Sequence, residues 1–140
     1  MQKFIILLVS LTILMACKRD SIERETYDSG KVKQEKTYRS VKGDKELVKE
    51  VHYHENGQKY IEGNYKDNKR DGYWASWYDN GQLWSEGEFK DGLSDGKRTV
   101  YHKNGTLYYE GYFKMGERTG IWKFYNEAGV LTSETNYDKQ

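Results

Sequence analysis

Five glutamates, Glu35, Glu62, Glu86, Glu110 and Glu134, are the first residues of this chain to suggest chemistry, because carboxylates placed together can divide the roles of general acid and general base. Their spacing argues otherwise. From Glu62 onward they recur every 24 residues, so each is expected in nearly the same surroundings, whereas an acid–base pair needs surroundings that drive two pKa values apart. The expected role is structural: pairing with Lys66, Lys90 and Lys114, or accepting backbone N–H bonds at a turn. His52 and His54 stand two apart, which on a strand turns both to one side and could serve a metal. His54, however, fills a position taken by Tyr27, Tyr78, His102 and Asn126 in other copies of the same pattern, so it reads as a turn-flanking residue. No nucleophile elbow, phosphate loop, nucleotide fingerprint or zinc-ligand spacing occurs. The expectation is a protein that is not an enzyme, with no catalytic residue, metal, cofactor or small-molecule substrate.

The single cysteine, Cys17, has a different setting. After Lys3 come 13 residues, Phe4 to Ala16, apolar except for Ser10 and Thr12. The run closes on Leu14-Met15-Ala16-Cys17 and turns charged at Lys18-Arg19-Asp20. Such a run is too short to cross a bilayer as a helix, which needs about 20 apolar residues. A small residue directly before the cysteine, with a leucine three before it, resembles a bacterial lipobox. That resemblance implies a lipoprotein signal peptide over residues 1–16, helical where structured, whose removal leaves an acylated Cys17 heading a charged tether, residues 17–26. It also implies a place in the bacterial cell envelope, anchored to a membrane by acyl chains worth roughly 0.8 kcal/mol per buried methylene. A lipidated Cys17 leaves no thiol for a disulfide or a metal. Without Lys3 the Lys and Arg residues equal the 22 Asp and Glu, so no basic footprint for nucleic acid remains.

The elements that carry these residues follow from an internal repeat. Complete copies begin at His54, Tyr78 and His102, and a fourth begins at Asn126. Each has a first glycine (Gly57, Gly81, Gly105, Gly129) and a glutamate five residues later. A second glycine follows at Gly63, Gly87 and Gly111, then a ring at Tyr65, Phe89, Phe113 and Tyr137. A third glycine, at Gly72, Gly96 and Gly120, stands two before Trp74, Arg98 and Trp122. Upstream, Tyr27, Gly30, Glu35 and Tyr38 keep the same offsets before a three-residue insertion, as expected of a terminal repeat with one side unstacked. The repeat domain is thus residues 27–140: a degenerate repeat 27–53, full repeats 54–77, 78–101 and 102–125, and a partial repeat 126–140.

Two glycine clusters per unit separate two strand-length stretches, which describes a hairpin. Asn56-Gly57, Asn80-Gly81 and Asn104-Gly105 signal turns with positive φ, while the stretch Asp91 to Gly96 reads as a longer, looser loop. Between the turns Leu83, Gly87 and Phe89 share one parity and Trp84, Glu86 and Glu88 the other, the alternation of a half-buried strand. A mid-strand glycine weakens a strand unless something packs closely there; a tryptophan ring such as Trp74 or Trp122 is expected over it. The processed chain holds 20 aromatic residues against 14 Ile, Leu and Val, so rings must supply most of the buried area. The fold class is therefore all-β, with tandem hairpins forming one elongated, twisted antiparallel sheet. Tyr60, Trp84 and Tyr108 repeat at one offset on the side opposite the Leu-Gly-Phe stripe. They are either a solvent-facing binding row or a second packed ladder.

The motif Asn80-Gly81-Gln82-Leu83-x-x-Glu86-Gly87-x-Phe89-Lys90-Asp91-Gly92, with Gly72-x-Trp74 and Gly120-x-Trp122, resembles the bacterial variant MORN repeat over about residues 27 to 138. Arg98 in a Trp slot and Thr135 in a Gly slot depart from it. Proteins of this kind include YwqK-like antitoxins, so the resemblance implies a membrane-anchored lipoprotein that binds a protein partner, such as a toxin, through its repeat sheet. The alternative it implies is an envelope scaffold or a module for phospholipid head groups.

Overall fold

A computed structural model describes residues 20–139, so the segment expected as a signal peptide and Cys17 lie outside the described residues. Ten strands form one open, twisted antiparallel sheet in which each strand pairs only with its neighbours in sequence. They are β1 (Ser21–Thr26), β2 (Val32–Val41), β3 (Asp44–Tyr53), β4 (Lys59–Lys66), β5 (Lys69–Trp77), β6 (Leu83–Lys90), β7 (Leu93–Tyr101), β8 (Leu107–Lys114), β9 (Glu117–Tyr125) and β10 (Leu131–Asn136). A 3-10 turn, Tyr137–Lys139, follows. Among the described residues no helix is long and apolar enough to cross a membrane.

The stretch expected as a tether contributes a strand. β1 pairs with β2 from Ser21 opposite Tyr38 to Thr26 opposite Val32. All its residues are exposed, so apolar burial does not hold it; ion pairs accompany the backbone ladder instead. Arg24 Nε lies 2.7 Å from Glu35, Lys33 Nζ 2.7 Å from Glu25, and Lys45 Nζ 2.9 Å from Glu23. Exposed pairs of this kind contribute roughly 0 to 1 kcal/mol each, which leaves β1 weakly held.

Two kinds of turn alternate, and their tightness reverses the expectation from sequence. The Asn-Gly connections are three-residue loops: Gly81 N donates to Tyr78 O and Tyr78 N to Gln82 O, both at 2.9 Å, and positive φ (83°) falls on the glycine alone. Asn80 serves by its side chain: its Oδ1 accepts from Gln82 N at 3.1 Å, an Asx turn that Asn56 and Asn104 repeat. The stretch read as a loose loop is the tighter one. Asp91 and Gly92 both have positive φ, 51° and 90°, giving a two-residue turn between β6 and β7 whose hand matches strand twist. Asp95 and Gly96 belong to β7.

The register defines two faces. Arg24, Glu35, Val51, Glu62, Ala75, Glu86, Thr99, Glu110, Lys123 and Glu134 stand in one row across all ten strands, the glutamate face. On the other side Gly63, Trp74, Gly87, Arg98 and Gly111 form the adjacent row, and Trp122 covers Gly111. A Cβ at Gly63 would fall 2.5 Å from Trp74 Cγ, and one at Gly111 2.7 Å from Trp122 Cγ, so each glycine is where a ring lies flat on the backbone. Trp74 Nε1 donates to Asn64 O at 3.0 Å and Trp122 Nε1 to Tyr112 O at 3.2 Å, fixing the rings. Tyr65 stands edge-on to Trp74 and Phe113 edge-on to Trp122, at 5.3 and 5.0 Å. Among the described residues no second layer covers the sheet, so these rings are the main part of its core: Trp122 is 1% exposed and Trp74 5%.

Candidate functional site

Row position places Glu62, Glu86 and Glu110 on every second strand, roughly 10 Å apart. Their partners are not Lys66, Lys90 and Lys114. Those lysines lie four residues further along the same strands, roughly 13 Å away at the strand rise; apart from Lys59, on Glu62's own strand, the partners come from neighbouring strands. Glu62 is bound by Lys49 at 2.5 Å and by Lys59; Glu110 receives Lys97 at 2.9 Å. Glu35 takes Arg24 and, at 2.9 Å, the Tyr53 hydroxyl. Glu86 has only hydroxyl donors: Tyr73 at 2.7 Å, Thr99 at 2.9 Å and Tyr101 at 3.2 Å.

These contacts set the ionisation. The bonds from Arg24 and Tyr53 hold Glu35 below the ordinary carboxylate range, and the bond from Tyr73 does the same for Glu86. Burial pushes Glu62 up, but its bonds to Lys49 and Lys59 outweigh that and leave it lowered. Burial and the adjoining carboxylate push Tyr53 and Tyr73 up to about 12. A row of ionised carboxylates clamped by cations and phenols is an arrangement for joining strands.

His52 and His54 are drawn apart. His52 Nε2 lies 3.0 Å from Glu50 and 3.1 Å from Gln34 on β2. His54 leaves the strand, and its Nε2 meets Trp77 O at 3.1 Å, one repeat further on. His102 makes the same contact with Tyr125 O at 2.9 Å, while the hydroxyls of Tyr78 and Tyr27 donate to Tyr101 O and Tyr53 O at 2.8 and 2.6 Å. The slot that begins each repeat is therefore a staple to the next. The asparagines add a second one, since Asn56 and Asn104 Nδ2 donate to Asp79 O and Glu127 O at 2.6 and 2.9 Å.

Tyr60, Trp84 and Tyr108 are exposed, at 42%, 40% and 44%. They do not lie opposite the glycine and tryptophan row. Ser76 pairs with Ser85 but the next residue, Trp77, pairs with Leu83, so Trp84 is an extra residue in a β-bulge; Tyr60 and Tyr108 occupy the equivalent bulges. The bulge sends Leu83 to the glutamate face opposite Trp77 and swings the ring to the tryptophan face. There Tyr108 stands 5.5 Å from the adjacent Tyr109 ring, and Trp84 and Tyr108 wall a groove floored by Ser76, Ser85 and Val100. Each exposed ring leans on a staple residue: Tyr60 on His54 at 5.0 Å, Trp84 on Tyr78 at 6.0 Å, Tyr108 on His102 at 4.8 Å. The three rings are thus propped outward rather than packed as a ladder.

Of the repeat glycines, Gly57, Gly81, Gly105 and Gly129 close the Asn-Gly type turns and Gly72, Gly96 and Gly120 take positive φ within strands. One feature is not singled out from sequence: the staple role of positions 54, 78 and 102, whose signal is the recurrence of ring or imidazole donors there. Arg98, the departure from a Trp slot, lays its stem over Gly87 where a tryptophan lies over Gly63 and Gly111.

A search of curated proteins finds no match. The MORN repeat variant matches this chain four times, at residues 48–67, 70–91, 94–115 and 118–139. Each match spans the second strand of one structural pairing, or its end, and the first strand of the next hairpin, in phase with the glycine and tryptophan spacing. With four tandem matches covering more than half its length, and a ten-stranded hairpin sheet to match, the chain belongs to the MORN repeat variant family.

Proposed function

We propose that this protein is a non-enzymatic lipoprotein, held to a membrane of the bacterial cell envelope through acylated Cys17, that binds a protein partner on the tryptophan face of its sheet. The supporting observation is the file of propped rings. Tyr60, Trp84 and Tyr108 project from bulges, remain 40 to 44% exposed, and repeat on successive hairpins. Aromatic side chains already ordered by a neighbouring ring make favourable interface anchors, since little rotamer freedom is lost on docking. The finer reading is neutralisation of a toxin, as in YwqK-like antitoxins; it rests on the repeat resemblance.

The test is site-specific photo-crosslinking of the full-length chain in its own envelope, with the reactive side chain at Tyr60, Trp84 or Tyr108. Tyr112 and Ile121, exposed on the glutamate face, are the controls. A discrete protein adduct confined to the first three positions is expected. Adducts to phospholipid alone from those positions would favour a head-group module and refute capture of a protein.

A further inference from the structure

Within the three full repeats the symmetry of the tryptophan face is broken once, at Arg98. Trp74 and Trp122 occupy the equivalent positions one repeat before and after, each lying on a glycine. At Arg98 the glycine is kept but the ring is not: a Cβ on Gly87 would meet Arg98 Cγ at 3.5 Å, ordinary contact. Arg98 is half-buried and helps to line the groove walled by Trp84 and Tyr108, whose volume is about 580 Å³. Among the described residues it makes no ion pair. Charge on this face from β4 to β9 has one sign. Arg70 pairs with Tyr65, Arg118 with Phe113 and Arg98 with Gly87 and Gly111, and from β4 to β9 these rows carry no carboxylate; Glu50, in the row of Arg98, stands outside that span on β3 and accepts from the Tyr65 hydroxyl at 2.8 Å. Arg70 and Arg118 are engaged over the faces of Trp74 and Trp122, at 4.1 and 4.5 Å. Arg98 has no tryptophan beneath it.

A half-buried arginine between aromatic walls calls for an anion that arrives with apolar surroundings. Resting on the reading of this face as a protein-binding surface, we infer that the groove receives a carboxylate side chain, Asp or Glu, flanked by apolar residues on a segment of the partner. Arg98 sets that specificity by a bidentate pair, while Trp84 and Tyr108 cover the flanking residues. The recess favours a protruding side chain over a membrane. A bilayer surface meets cations that stand clear of the fold, whereas this one lies below the rims formed by two rings.

The experiment selects random displayed peptides on the full-length chain in detergent, using wild type, Arg98→Trp and Arg98→Glu. Arg98→Trp restores the repeat's own ring over Gly87 and is expected to fold with unchanged stability, so loss of selection reports the charge. Wild type is expected to enrich Asp or Glu beside apolar residues, and Arg98→Glu to enrich Lys or Arg in their place. Replacing the enriched acid by its amide should weaken binding about ten- to a hundredfold, the range for a hydrogen-bonded charge pair. Enrichment without an acidic bias, or equal enrichment on Arg98→Trp, overturns the inference while leaving the crosslinking result at Trp84 to judge protein binding separately. Failure to enrich any peptide, with Arg98-dependent binding to vesicles of phosphatidylglycerol and phosphatidylcholine, also overturns it and assigns the groove to lipid phosphate.

Discussion

Replacing Gly111 by alanine tests whether rings laid on glycines are what this single-layer sheet has for a core. The new methyl would sit 2.7 Å from Trp122 Cγ, and bonded carbons of that ring are nearer still. The ring has little room to yield. Tyr109 stacks on it at 5.4 Å, Phe113 and Tyr137 meet it edge-on at 5.0 and 5.8 Å, Arg118 lies 4.5 Å from its centre, and Nε1 is tied to Tyr112 O. Forcing a carbon into a well-packed site costs about 1 to 3 kcal/mol, and tilting the ring away would add part of the 3 to 5 kcal/mol that loss of a buried tryptophan costs. We expect a loss of about 3 kcal/mol for Gly111→Ala, and a similar one for Gly63→Ala. Gly87→Ala is the control. Its Cβ would lie no closer than 3.4 Å to any atom and its φ is not positive, so it should be neutral or stabilising by about 0.4 to 1 kcal/mol through the unfolded chain. Urea unfolding followed by near-ultraviolet circular dichroism reads both. Equal destabilisation at Gly87 and Gly111 would refute the reasoning, because only one of them carries a tryptophan.

Trp84→Ala should weaken partner binding by about 2 kcal/mol or more, as hot-spot rings do, while costing about 1 kcal/mol of stability through its tilted contact with the Tyr78 ring; calorimetry and urea midpoints separate the two. Cys17→Ser should abolish incorporation of radiolabelled palmitate and release the protein from membranes; retention in the membrane fraction would sink the lipid-anchor reading. Stability should also fall at both ends of the pH scale. Glu35 and Glu86 are held below the ordinary value of 4.5, so their contribution is present above about pH 4.5 and is lost as pH falls through their folded values. Tyr73 is pushed from 10.0 up to about 12, so its contribution is present below pH 10.0 and is lost as pH rises toward 12. Tyr73→Phe should flatten the alkaline limb and shrink the acid one in urea midpoints measured against pH, and no change at either end would contradict the hydroxyl clamp on Glu86.

Much of this fold was legible because each repeat states the same constraint again. The mid-strand glycines pointed to a ring laid on the backbone, but not to which ring lies on which glycine: the structure puts Trp74 on Gly63 and Trp122 on Gly111, and at Gly87 the stem of Arg98 lies where a tryptophan was expected. Parity counting failed at Leu83 and Trp84 for a physical reason: an inserted bulge residue resets the alternation, and nothing in the local composition marks it. The turns were misjudged because Asn-Gly is a strong signal for positive φ at two positions, whereas here the asparagine side chain closes an Asx turn and the tight turn falls on Asp91-Gly92. β1 escaped notice because Ser21 to Thr26 has no apolar stripe; it is held by ladder hydrogen bonds and by charges contributed from β2 and β3. The glutamates were read correctly as recurring equivalents but given the wrong lysines, since partners across strands are invisible to spacing along one strand.

Because every strand pairs only with the one made just before it and the one made just after, assembly order can follow the chain itself. No strand pairing waits on a distant segment, so the closure entropy that slows most β proteins is small at each step. A ribbon can zip onto the growing edge as soon as it is long enough to turn, and lengthening or shortening the array by one unit leaves the other joints as they were. The molecule thus behaves less like a folded globule than like a ruler graduated in hairpins, on which a change at one mark need not disturb the rest.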